Sequence, residues 1–148
     1  MSTPAGYSGR PLAQKLGIKE AHVVCLLGAP DGFAQHGLGT LPDGVVLHDR
    51  LVAPADVVLT FRTVRAELEA DREAVTRAIW PAASWWVCWP KKASRVPTDI
   101  TEDVVREIAL PHGLVDNKVC AVDHVWSGLR LVVRRERRAG TVEELLTG

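Results

Sequence analysis

Four continuous apolar runs, each shut off by glycine, proline or a charged loop, constrain this chain more than any other feature. His22-Val23-Val24-Cys25-Leu26-Leu27 is closed by Gly28, and Trp85-Trp86-Val87-Cys88-Trp89 by Pro90. Val45-Val46-Leu47 and Val57-Val58-Leu59-Thr60-Phe61 are of the same kind. Strands that face water on one side alternate apolar with polar residues. Unbroken apolarity marks strands buried on both faces, the pattern of a parallel sheet sandwiched by helices. In the tryptophan run, Trp85 and Trp89 share one face and Trp86 takes the other. Large rings on both faces place that strand at the centre of the sheet.

The connections support a parallel sheet. Residues 62–83 and 90–116 are long enough to cross over through a helix. Thr63 to Trp80 carries Val64, Leu68, Val75 and Ile79 on one face at the helical period, with Asp71 inside the stripe. A second helix is expected near Asp99, with Glu102 as capping-box partner and Val104, Val105 and Ile108 as its apolar face. Pro111 and Gly113 end it. Pro11 to Gly17 reads as a short helix. The 49–54 connector is shorter than the dozen residues a parallel crossover usually needs. Strand 44–48 is therefore expected to be antiparallel or a displaced edge. Val119–Val122 and Leu129–Arg134 form a hairpin over 117–134, with Ser127-Gly128 as its turn.

These elements predict an α/β fold, a three-layer Rossmann-like sandwich whose mostly parallel sheet ends in a C-terminal antiparallel hairpin. Central strands are expected near 22–27, 55–61 and 84–89. The domain occupies residues 11–138, between a flexible tail at 1–10 and a C-terminal tail at 139–148. Within the latter, Thr141 to Leu146 forms a last helical turn or stays disordered.

The 148 residues hold 18 Lys+Arg against 18 Asp+Glu, a net charge of zero. A neutral chain gives no electrostatic reason to bind nucleic acid or an anionic membrane. The 47% apolar and 24% charged fractions are those of a soluble globular protein. No apolar run approaches the ~18 residues of a membrane span, and no signal-peptide core is present. A cytoplasmic protein is expected, and the excess of arginine over lysine is that of a GC-rich bacterial genome. Cys25, Cys88 and Cys120 lack metal or redox spacing and read as buried thiols. The histidines show no ligand spacing, so no metal is expected. Arg134, Arg135, Arg137 and Arg138 would be split between two faces by strand alternation. That is an edge guard against aggregation rather than a nucleic-acid surface.

Three stretches carry a family resemblance: Leu27-Gly28-Ala29-Pro30-Asp31-Gly32-Phe33, Trp89-Pro90-Lys91-Lys92-Ala93-Ser94, and Gly113 to Asp123 with Trp126-Ser127-Gly128-Leu129. Together they resemble the bacterial domain of unknown function 3052 family over most of residues 11–135. The element order is also similar to a shortened class I methyltransferase core. That resemblance implies that the last strand inserts between strands 84–89 and 117–125. It implies a Gly-rich loop at Gly28 to Gly32 and a ribose-binding acid at Asp49, 21 residues after Gly28. An S-adenosylmethionine-like ligand would be the cofactor. The loop departs from the family's glycine spacing, one strand–helix unit is missing, and Phe61-Arg62-Thr63 replaces the amine-methylation motif.

In an open parallel sheet, ligands sit beyond the carboxyl ends of the strands. That edge collects the candidate ligand-binding residues Gly28, Gly32, Phe33, Lys91, Lys92, Asp123 and Trp126, together with Arg62 and Ser94. Asp49 joins them only if strand 44–48 is parallel. Lysine ammonium groups there suit a phosphate or carboxylate, and Trp126 offers a stacking face. No nucleophile elbow, catalytic triad or phosphate-binding Gly-Lys-Ser/Thr run is present. The expected function is binding of a small nucleotide-like molecule, with no catalytic residue assigned. The alternative is a non-catalytic interaction or regulatory module whose ancestral pocket has closed and whose partner is another protein or a second copy in a homodimer. A cleft of roughly 300 Å³ or more at the strand ends separates the two.

Overall fold

Every residue of the strand Ser84–Pro90 is buried, because helices or loops cover both of its faces. The Trp85 indole N–H donates to Thr60 Oγ1 at 2.9 Å. The Trp86 indole N–H donates to the Leu16 carbonyl at 2.9 Å on the other face. Both rings thus bury their full apolar area with the polar handle satisfied. The strand is the fourth of six in a computed structural model that describes residues 10–147. The tail expected at 1–10 falls, except for Arg10, outside the described residues.

The strands are β1 Val23–Leu27, β2 Val46–His48, β3 Val57–Phe61, β4 Ser84–Pro90, β5 Leu114–Ala121 and β6 Trp126–Val133. They lie in the order β2-β1-β3-β4-β6-β5. The first four are mutually parallel, and β6 runs antiparallel to both β4 and β5. The last strand therefore inserts where the resemblance placed it.

One face of the sheet, that of Trp85 and Trp89, is covered by helices α2 (Arg65–Ile79), α3 (Glu102–Ala109) and α4 (Val142–Thr147). Leu68, Val75 and Ile79 from α2, and Val105 and Ile108 from α3, are buried there. The opposite face, that of Trp86, is covered by α1 (Leu12–Lys15) and a π-helical turn at Phe33–Gly37. The result is the expected three-layer α/β sandwich, with one thick helical layer and one thin one.

Several local expectations are corrected. Of the two alternatives for strand 44–48, the edge position holds and the antiparallel direction does not: β2 lies at the sheet edge, parallel to β1. The eight residues between His48 and Val57, numbers 49–56, cross β1 without a helix. Extended, such a segment reaches roughly 26–29 Å, more than the ~20 Å needed to pass a five-residue strand diagonally. It grips β1 on the way, the Val52 N–H meeting Cys25 Sγ at 3.4 Å. Leu51 and Val52 pack where a helix would otherwise lie.

The cap of α3 is Thr101, whose hydroxyl accepts the Val104 N–H at 3.2 Å. Asp99 instead caps α2, accepting the Arg65 N–H at 2.6 Å. The hairpin turn lies at residues 122–125, and Ser127 and Gly128 belong to β6. Gly128 is small because the Trp86 ring covers it: a Cβ there would sit 3.1 Å from the indole and 3.2 Å from Val122. Strand β6 stops at Val133 and Arg135–Arg137 form a 3-10 turn, so strand alternation does not govern the arginines. Within 139–148 the helical alternative for Thr141 to Leu146 holds, as α4, and the segment is more than a tail because Leu145 is 2% exposed and packs over Gly113.

Candidate functional site

The carboxyl edge of the sheet is built around the close approach of two strand ends. Gly28 follows β1 with φ +72°, and a Cβ there would lie 2.7 Å from the Phe61 carbonyl oxygen. Only glycine permits both the left-handed backbone and that contact. The loop is thereby pressed against the end of β3. Arg62, the next residue of that strand end, is held by a bidentate ion pair to Asp71, at 2.8 and 3.0 Å. The hydrogen bonds that Arg62 donates to Asp71, ahead of the Asp71 charge and against the opposing effect of burial, hold the Arg62 pKa above its ordinary value. Asp71, an acid inside an apolar helical stripe, is explained by this pair. Gly32, at φ +79°, opens the π-helical turn, a geometry that often accompanies functional sites.

Because β2 is parallel to β1, its end at Leu47-His48-Asp49 comes to the same edge. A cleft of about 640 Å³ lies between the two strand ends. Gly28, Gly32 and Gln35 form one wall, and His48 and Asp49 the other. The condition set on Asp49 is met, and its carboxylate is exposed. A backbone-walled loop facing a carboxylate is chemically suited to a polyhydroxylated, partly planar ligand. Glycines let the ligand approach the main chain, and a carboxylate accepts two hydroxyl protons.

The other candidates lie elsewhere on that edge. Phe33 is buried beneath the loop, its ring edge-on to Phe61 with centroids 4.9 Å apart. Phe61 in turn meets Trp126 at 5.2 Å. Phe33 and Trp126 therefore belong to one aromatic stack that floors the edge rather than to the wall of the cleft. Asp123 shapes the hairpin, its Oδ1 accepting the N–H groups of Val125 and Trp126, both at 2.8 Å. Lys91 and Lys92 follow β4, where the Lys91 N–H donates to the Val125 carbonyl and Lys92 opens a short 3-10 turn. The structure thus brings Gly28, Gly32 and Asp49 together and leaves Lys91, Lys92, Asp123 and Trp126 outside the cleft lining.

Gln35 and His48 line the cleft without having been singled out. Gln35 follows no helical or strand period in the sequence, and His48 is one of five histidines without ligand spacing, so neither carries a sequence signal. Among the described residues, no group of three or more His, Cys, Asp or Glu could hold a metal ion. Burial pushes the thiol pKa of Cys25, Cys88 and Cys120 upward, which disfavours the reactive thiolate. Cys120 is only partly buried.

No family model matches the chain, and no curated protein does. Solved structures do. A SAM-dependent methyltransferase from Aquifex aeolicus superposes with a TM-score of 0.59 at 20% identity, over 81% of this chain and 87% of that one. A putative type 11 methyltransferase from Sulfolobus solfataricus gives 0.55 at 10% identity, over 85% and 91%. Magnesium protoporphyrin IX methyltransferase from Synechocystis PCC 6803, with bound SAM, gives 0.53 at 14%, over 78% and 71%. At such identities the likeness is one of fold: a methyltransferase-like Rossmann core with an antiparallel C-terminal hairpin. No helix among the described residues is long and apolar enough to cross a membrane.

Proposed function

We propose that the cleft between the ends of β1 and β2 binds a small nucleotide-like molecule of the S-adenosylmethionine type. One observation carries the reading: the Gly28–Gly32 loop and the Asp49 carboxylate face each other across one open cleft of about 640 Å³. That volume falls within the usual range for small-ligand sites and exceeds what a closed ancestral pocket would leave. The structural neighbours include proteins described as SAM-dependent or solved with bound SAM. In this chain Asp49 would hold paired hydroxyls and the glycine loop would admit the ligand against the main chain. The proposed activity is binding, and the proposed setting is the bacterial cytosol; membership of the domain of unknown function 3052 family rests on the resemblance of the three motifs alone, since no family model matches the chain.

The test is titration calorimetry with S-adenosylmethionine, S-adenosylhomocysteine and nucleotides. Micromolar binding of an adenosine-containing ligand is expected. Asp49→Asn should weaken it by about tenfold or more, the loss of a charge-assisted hydrogen bond. The double variant Lys91→Ala, Lys92→Ala should bind as the wild type does if the cleft alone forms the site. Absence of saturable binding up to about 1 mM, a threshold near −4 kcal/mol, would refute the reading, as would unaltered binding by Asp49→Asn.

A further inference from the structure

A second cleft, of about 590 Å³, opens at the opposite edge of the sheet, where the parallel strands begin. It lies between the end of α1 and the starts of β3 and β4, far from the glycine loop. Its lining is charged on one side and apolar on the other. Lys15, Lys19, Lys118 and Arg130 contribute cations, and Asp56 is the single carboxylate among its described lining residues. Asp56 already accepts the Val23 N–H at 2.8 Å. Trp80 and its neighbouring prolines supply the apolar wall.

Two details make this more than a chance group of surface charges. The Arg130 Nε is buried, yet has no hydrogen-bond partner among the described residues. A buried donor left unpaired is costly, and its usual explanation is a water, an ion or a ligand. Next to it, β5 carries a bulge between Asp116 and Lys118 that sets Lys118, rather than Asn117, directly opposite Arg130. Bulges re-aim side chains, and this one stacks Lys118 beside Arg130 on the face of Trp86. The Lys118 ammonium donates to the Lys15 carbonyl at 3.1 Å, which holds it over the cleft beside α1.

We infer that this amino-edge cleft is a binding site for a small organic oxyanion with an apolar body, the anionic group seated on Arg130 and Lys118. Guanidinium and ammonium groups side by side favour a phosphate over a monoanionic carboxylate. The inference is independent of the carboxyl-edge cleft, because the two sites share no lining residue.

The probes are phenyl phosphate, benzoate and neutral phenol, titrated by calorimetry into the full chain. Phenyl phosphate is expected to saturate with a submillimolar Kd and benzoate more weakly, while phenol gives no saturable heat. Arg130→Gln should weaken phenyl phosphate binding by about tenfold or more. Lys118 is exposed, so Lys118→Ala keeps the fold testable and should weaken binding by about fivefold. Melting curves of both variants establish that they are folded. Saturation by benzoate as tight as by phenyl phosphate still supports an oxyanion site and removes only the preference for phosphate. Any of three results overturns the inference: no binding of either anion by about 10 mM, equal binding of phenol, or phenyl phosphate binding that both folded variants retain.

Discussion

Replacing Gly28 and Gly32 separately by alanine isolates the contact that builds the carboxyl edge. Both glycines have positive φ, +72° and +79°, so each alanine carries the left-handed penalty of about 1–2 kcal/mol. They differ in surroundings. A Cβ at Gly32 meets nothing within 4 Å, whereas one at Gly28 lies 2.7 Å from the Phe61 carbonyl oxygen. That oxygen belongs to the end of a central strand and cannot swing aside as a side chain would. Forcing an extra carbon into such a contact adds about 1–3 kcal/mol. Gly32→Ala should therefore cost about 1–2 kcal/mol and Gly28→Ala about 2–5 kcal/mol. Urea denaturation monitored by tryptophan fluorescence measures both, with unchanged m-values as the check that the same surface unfolds. Equal losses in the two variants, or a larger loss in Gly32→Ala, would refute the claim that the loop is pressed against β3.

Leu145→Ala should destabilise the protein by about 2–5 kcal/mol if α4 is part of the core; a loss within about 0.5 kcal/mol in the same urea assay would make 139–148 a tail after all. Glu143 on α4 bonds to Arg77, and that hydrogen bond first, then the Arg77 charge, draws its pKa below the ordinary 4.5. Its contribution is therefore present above pH 4.5 and lost as pH falls through the lower folded value. The stability difference between wild type and Glu143→Gln should shrink over that range, and a constant difference would contradict the pairing. Asp71→Asn, which leaves Arg62 without its carboxylate, should cost about 1–3 kcal/mol. A double-mutant cycle with Arg62→Gln showing no coupling would deny that the pair braces the edge.

The central strands were legible because burial on both faces leaves an unbroken apolar run, and the tryptophans of β4 could be assigned to faces by strand period alone. The direction of β2 was not legible. A crossover made of extended chain has no helical period to read, and its hold on Cys25 is a tertiary contact. Asp99 carries the right chemistry for a helix cap, but the helix it caps is α2, more than thirty residues earlier in the chain. Gly128 looked like a turn residue in a Ser-Gly pair, when its smallness answers to the Trp86 ring above it. The carboxyl-edge cleft was half legible: Gly28 and Gly32 follow from the strand-end rule, while Asp49 came from the methyltransferase resemblance and joined them only through the parallel direction of β2. Phe33 and Trp126 obeyed the same rule but turned into the aromatic stack. The amino-edge cleft left no trace in the sequence, since Lys118 and Arg130 meet only through strand pairing and a bulge.

The most direct test of ligand binding at the carboxyl edge is amide chemical-shift mapping of the labelled protein on titration with S-adenosylhomocysteine. The proposed site predicts saturable shifts concentrated at Gly28, Gly32, Gln35, His48 and Asp49, with the amides around Lys118 and Arg130 unmoved. Shifts that cluster at the opposite edge, or none at saturating ligand, would contradict it.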